Sequence, residues 1–149
     1  MRHVLLAGLV LLSSALGTVT ASGQGVPSDP VITRVFGPET ATGPYKHPAC
    51  LTELSNGDLY LVYYGGQGEY ARDTTVFGAR LRKGETTWSA PVALARDPFR
   101  SVGNGVIWQA PDGLVWLFYV VRFGETWGTS RIQAKVSRDV PHVSPNRTT

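Results

Sequence analysis

The sequence predicts an all-β protein assembled from repeated hairpin units. The first observation behind this is an internal repeat. Residues 49–63 are echoed by residues 105–119, and the offset from Asn56-Gly57 to Asp112-Gly113 is 56 residues. The second is the chemistry of those two dipeptides, each flanked by β-branched, aromatic and leucine residues suited to strands. The third is the lack of an apolar stripe of helical period beyond the N-terminal run. Repetition at this period points to a β-propeller built from blades, and 149 residues hold only two of them. The chain is therefore expected to be the first two blades of an incomplete ring.

The elements follow in order. Ser22–Asp29 is polar and carries glycine and proline, as a linker does, and Val31–Phe36 is a short β-type run. Residues 22–44 are thus expected to be a linker with a possible ring-closing strand. After the turn-rich stretch Gly37–Tyr45, the first hairpin is centred on Asn56-Gly57, read as a type I′ turn with two positive φ angles. Thr75–Leu81 is the third strand, a turn through Gly84 leads to Trp88, and Pro91–Leu94 is a short outer strand. The second unit repeats the hairpin around Asp112-Gly113 and a third strand at Ser130–Val136. Past Ser137-Arg138-Asp139 the pattern dissolves into residues 140–149, whose two prolines suit a central strand poorly. A premature stop or frameshift near Asp139 is the expected cause, and 140–149 is expected to be a tail outside the repeat.

Met1-Arg2-His3 and the apolar run Val4–Leu16, followed by small residues up to Ala21, have the layout of a secretory signal. The run is shorter than the about 20 residues that span a bilayer. Residues 1–21 are expected to be cleaved, and the product to be secreted or periplasmic with no membrane span. The formal net charge of +3, from 14 basic and 11 acidic residues, comes from scattered side chains and argues against nucleic-acid binding. Cys50 is the only cysteine, which excludes an intrachain disulfide and leaves a small buried residue as its simplest role. With one cysteine, and with His47 and His142 far apart, no Cys/His metal site is expected, nor any cofactor. Asn146-Arg147-Thr148 matches a glycosylation sequon, but on an irregular tail.

Several short motifs occur in order. They are Tyr45-Lys46-His47-Pro48-Ala49-Cys50, Asn56-Gly57-Asp58-Leu59, Gly65-Gly66 with Glu69, Asp73 followed by Ala79-Arg80, and Trp88-Ser89 with Pro91. Asn104-Gly105-Val106 and Asp112-Gly113 with Trp116-Leu117-Phe118-Tyr119 complete the set. Together, over about Tyr45 to Asp139, they resemble the opening blades of the BNR (Asp-box) sialidase-like family. The resemblance implies a six-bladed propeller, a secreted enzyme or binder, and a glycan or glycoconjugate as its partner. No protein partner is implied. It also identifies Gly84–Trp88 as a degenerate Asp-box, a structural turn, and Ser137-Arg138-Asp139 as the first residues of a second copy.

The resemblance implies a chemistry too. Sialidases use a tyrosine nucleophile activated by a glutamate, an aspartate as acid/base, and arginines that clamp the substrate carboxylate. Lys46 stands where the first arginine is expected, and its point charge cannot reproduce a bidentate fork. Sialic acid, another acidic sugar and a neutral sugar therefore stay open as substrates. Asp73 is the expected acid/base and Glu69 the alternative, both in the loop after Gly65-Gly66-Gln67-Gly68. That glycine run lacks the Gly-Lys-Ser/Thr of a phosphate loop. Lys46, His47, Arg72, Arg100 and Asn104 are the candidate substrate-binding residues, each equally readable as an ordinary loop residue; Arg122 and Arg131 are weaker ones. The aromatics Tyr63, Trp108, Trp116, Phe118 and Tyr119 are expected to fill the core between blades. The nucleophile and its glutamate are expected from later blades. The leading expectation is an N-terminal fragment of a glycoside hydrolase, inactive alone; the alternative is a non-catalytic glycan-binding or scaffold propeller.

Overall fold

The computed structural model describes residues 32–139, so the expected leader, residues 22–31 of the expected linker segment and the tail 140–149 lie outside the described residues. The chain divides into two units, Met1–Thr33 and Arg34–Thr149. The described part of the second holds seven strands: β1 (Tyr45–Glu53), β2 (Leu59–Gly66), β3 (Thr75–Leu81), β4 (Val92–Arg96), β5 (Val102–Gln109), β6 (Val115–Arg122) and β7 (Ser130–Ser137). They form a four-stranded sheet in the order β1-β2-β3-β4 and a three-stranded sheet in the order β5-β6-β7. All pairs are antiparallel. One 3₁₀ turn, Trp127–Thr129, precedes β7, and the described residues contain no α-helix. The all-β expectation holds, as does the strand content of the two repeat units, four in the first and three in the second.

Two local expectations are corrected. Residues 32–36 form no strand. Nor is the hairpin turn type I′, because Gly57 has φ 84° while Asn56 keeps a negative φ. The Gly57 amide donates to the Leu54 carbonyl at 2.7 Å and the Leu54 amide to the Asp58 carbonyl at 2.8 Å. This is a three-residue loop, a type I turn closed by a glycine bulge. The second hairpin repeats it with Gly113 at φ 84° and the pair Gly113 to Ala110 and Ala110 to Leu114. Asn56 and Asp112 serve by side chain instead, their Oδ1 atoms accepting from the amides of Asp58 and Leu114, both at 3.0 Å.

The repeat also governs packing. β5 lies against β1, β2 and β3. Alternation along β2 and β3 sends Tyr60, Val62, Tyr64 and Val76 to the interface, where they meet Val102, Ile107, Val115, Leu117 and Val121 of the second sheet. Each large apolar side chain fully buried there stabilises the fold by about 1.5–3 kcal/mol. Gly105 permits the approach, since a Cβ on it would stand 3.0 Å from Val76 Cγ1. Cys50 is half-buried and packs on this cluster.

Shifting Cys50, Thr52, Tyr60, Val62 and Val76 by the repeat offset gives Val106, Trp108, Trp116, Phe118 and Ile132. The first set faces β5, whereas the second faces away from the first sheet. Trp108 is 49% and Ile132 74% exposed, and the Trp116 and Phe118 rings stack at 5.8 Å on the open surface. The aromatics expected as core therefore split. Tyr119 packs on the core between the sheets; Tyr63 is buried on the opposite face of the first sheet, beside Phe36 and Phe77, and Trp108, Trp116 and Phe118 lie on the uncovered side of the second sheet.

Candidate functional site

Antiparallel pairing gathers the candidate residues at one end of the two sheets. The starts of β1, β3, β5 and β7 and the ends of β2, β4 and β6 share this end. The hairpin turns at Gly57 and Gly113 and the turn at Gly84 occupy the other. The first end carries Lys46, His47, the loop 67–74, the connection 97–101, Asn104 and the connection 123–129.

The loop 67–74 is held both to itself and to the second sheet. Both carboxylate oxygens of Asp73 accept from the Gln67 amide at 3.2 Å, which closes the loop. Thr74 Oγ1 accepts from the Val102 amide at 2.8 Å, and the Tyr70 carbonyl accepts from Ser101 Oγ at 2.8 Å and Arg122 Nη2 at 3.0 Å. Thr74 and Ser101 are buried polar residues whose hydrogen bonds satisfy them.

Sequence reasoning missed the residue that orients Glu69. Trp127 Nε1 donates to Glu69 Oε1 at 2.8 Å, from the second sheet's connection to the first sheet's loop. The Trp127 ring sits 5.4 Å from Tyr70 and 6.0 Å from Tyr64. Tyr45 and His47 approach Tyr64 from β1, at 5.9 and 6.2 Å between ring centres. Gly103 leaves room for the tryptophan, since a Cβ there would lie 3.0 Å from its ring. The signal lies in the pattern Gly124-Glu125-Thr126-Trp127, but nothing in one sequence pairs it with Glu69.

Tyr64 is fully buried, and its hydroxyl finds no hydrogen-bond partner of good geometry among the described residues. Burial pushes its pKa up, and the neighbouring Tyr45, Glu69 and Tyr70 add to the shift. The site is thus a half-buried carboxylate at the edge of an aromatic cluster, with the Tyr64 hydroxyl sealed inside that cluster. Aromatic faces with a few fixed polar groups suit a sugar ring, which presents apolar C–H faces and hydroxyl edges.

The remaining candidates are placed differently. Asp73 is exposed on the same loop. Lys46 donates from Nζ to the Gly43 carbonyl at 2.6 Å and borders a cavity with Phe36, Leu61 and Tyr63, on the side of the first sheet away from the second. It does not join Glu69. Asn104 is exposed with φ 48° in a bulge of β5 between Gly103 and Val106, and the bulge of β1 between His47 and Ala49 sits one repeat earlier. Arg72 and Arg100 line a cleft of about 280 Å³ with Arg122, beyond the Tyr70 ring. Arg122 is mainly a brace, donating to Ser101 Oγ and to the carbonyls of Tyr70 and Gly124. Among the described residues no group of three His, Cys, Asp or Glu side chains is placed to hold a metal ion. No described helix is long and apolar enough to cross a membrane.

The fold and the site together define a repeat-built all-β protein with its loops concentrated at one end. The sequence profile of the BNR repeat-like domain matches residues 57–147. The chain belongs to the BNR repeat-like domain family, whose domains are β-propeller-like. The match continues past Asp139, through most of the segment expected to be a tail. Comparison with curated proteins and with solved structures gives no match.

Proposed function

We propose that the chain is part of a secreted, sialidase-like β-propeller whose full form hydrolyses a terminal sialic acid or a related acidic sugar from glycans. The observation that carries this reading is Glu69, held by Trp127 whose ring packs on Tyr64 and Tyr70, at the end where the other loop candidates emerge. Glu69 and Asp73 share one loop, so either supplies the acid/base. A substrate covering the loop would remove water from both carboxylates and raise the proton affinity of the acid. The two sheets are read as the first two blades of six. The open side of the second sheet, equivalent by repeat to the covered side of the first, supports a further repeat packing there. The fragment alone is then inactive, its nucleophile belonging to a later blade.

A non-catalytic glycan-binding propeller is the second reading. It is favoured by Lys46, which stands in place of the clamping arginine and is engaged by the Gly43 carbonyl. Assay of the full translated gene product on a sialoside and on uronate glycosides separates the two. Hydrolysis abolished by Glu69→Gln or Asp73→Ala supports the enzyme. Binding without turnover supports the module, and neither binding nor turnover contradicts both.

A further inference from the structure

The connection 123–129 and the start of β7 carry a second feature, separate from the cluster at Glu69. Arg100 and Arg131 both stand over the Phe123 ring, with guanidinium carbons 4.4 and 4.7 Å from its centre. Arg72, Phe99, Arg100, Arg122 and Phe123 line the cleft of about 280 Å³. Its charge is unbalanced. The one ion pair of Arg100 among the described residues is with Asp97, at 3.9 Å, and the other oxygen of Asp97 accepts from the Phe99 amide at 2.8 Å. A guanidinium laid on an aromatic face is held in place but keeps its edge donors, the groups that bind an oxyanion in bidentate fashion. Phe99, 74% exposed at the rim, offers a ring on which a sugar can stack.

Tyr70 links the cleft to the cluster at Glu69 through two side chains. The Tyr70 ring lies 5.4 Å from the Trp127 ring and 5.1 Å from the Arg122 guanidinium, and Arg122 lines the cleft. A sugar against Trp127 would thus lie close enough to the cleft for its neighbour in the same chain to reach the arginines.

We propose that the cleft bounded by Arg72, Arg100 and Phe123, with Arg131 beside it, is a subsite for an oxyanion, a sulfate ester or a uronate carboxylate, on an acidic polysaccharide. The choice of a glycan over another polyanion rests on the function proposed above. The subsite itself rests on the arginines. It binds an acidic residue adjoining the one at Glu69 and so selects extended acidic chains over neutral ones.

Protection of arginines from phenylglyoxal, read by mass spectrometry on the unmodified chain, tests this without relying on a variant that must fold. The probes are a chondroitin sulfate tetrasaccharide, an oligogalacturonate, maltotetraose and a single-stranded DNA oligonucleotide. The expected result is that one or both acidic oligosaccharides slow modification of Arg72, Arg100 and Arg131 at least about fivefold while Arg34 is unaffected. Which of them protects identifies sulfate or carboxylate. Titration of Arg100→Gln and Arg131→Gln should show affinity falling about tenfold for each, as expected for loss of a charge-assisted hydrogen bond. Protection by neither acidic oligosaccharide, or equal protection by maltotetraose or DNA, overturns the proposal. Protection without hydrolysis of any glycoside would reject the enzyme reading and leave the subsite standing.

Discussion

Trp127 and Glu69, 58 residues apart, are joined across the two sheets by one hydrogen bond of 2.8 Å from indole Nε1 to carboxylate Oε1. The bond fixes a loop of one repeat unit by a side chain of the next, so the site exists only when both sheets are packed together. Trp127→Phe keeps the ring against Tyr64 and Tyr70 and removes the donor. Stability should fall by about 1.5–3 kcal/mol, the worth of one hydrogen bond to a charged group. In the full gene product the turnover or affinity attributed to Glu69 should fall about tenfold or more. Urea unfolding and glycan titration measure the two effects, and an unchanged affinity would show that Glu69 needs no orienting partner.

The buried Tyr64 hydroxyl has the opposite expectation. Tyr64→Phe removes a hydroxyl that has no hydrogen-bond partner of good geometry among the described residues and leaves the ring packing intact. The change should be neutral or stabilise by about 1 kcal/mol. A loss greater than that in chemical denaturation would mean that the hydroxyl is satisfied in solution.

Asp58 makes the fold acid-sensitive. It is buried behind the first hairpin and accepts from the Lys83 amide at 2.8 Å, from Arg80 Nε at 2.7 Å and from Asn56 Nδ2 at 3.0 Å. The Lys83 amide bond first, then Arg80 and Asn56, hold its pKa below the usual carboxylate range against the opposing cost of burial. A depressed folded-state pKa adds stability that is fully present above the ordinary value of about 3.9 and is lost as pH falls through the depressed one. Thermal melting between pH 7 and pH 3 should therefore fall more steeply for the unmodified chain than for Asp58→Asn. Parallel curves would assign the acid sensitivity to other carboxylates.

The open side of the second sheet predicts behaviour in solution. Trp108, Trp116, Phe118 and Ile132 form a contiguous apolar surface, of the kind that drives association when uncovered. The chain as given should self-associate in sedimentation experiments. Ile132→Lys with Val136→Lys, both at exposed β7 positions, should reduce association with little change in the melting temperature. A monodisperse monomer of the unmodified chain contradicts this.

Period and turn residues made the sheets legible. The 56-residue offset placed both hairpins, and Thr75–Leu81 was read with the bounds β3 has. The turn type was not legible, because Asn56-Gly57 serves a two-residue or a three-residue loop equally well; the backbone chose the glycine bulge with one positive φ. Val31–Phe36 looked like a strand from its β-branched residues, yet residues 32–36 pair with nothing in either sheet. The loop 67–74 was recognisable as a place for acidic residues. Its partner Trp127 was not, since their bond depends on how the second sheet docks on the first. Lys46 shows the reverse, a motif position that the fold turns to the far side of β1.

The central claim is that the aromatic cluster at Glu69 receives a terminal acidic sugar. Saturation-transfer NMR of the full gene product with sialyllactose and with lactose tests it most directly. The account predicts saturation concentrated on the acidic sugar, absent with lactose alone and lost on Trp127→Ala. Equal saturation of both ligands, or a sialyllactose signal that survives Trp127→Ala, would contradict it.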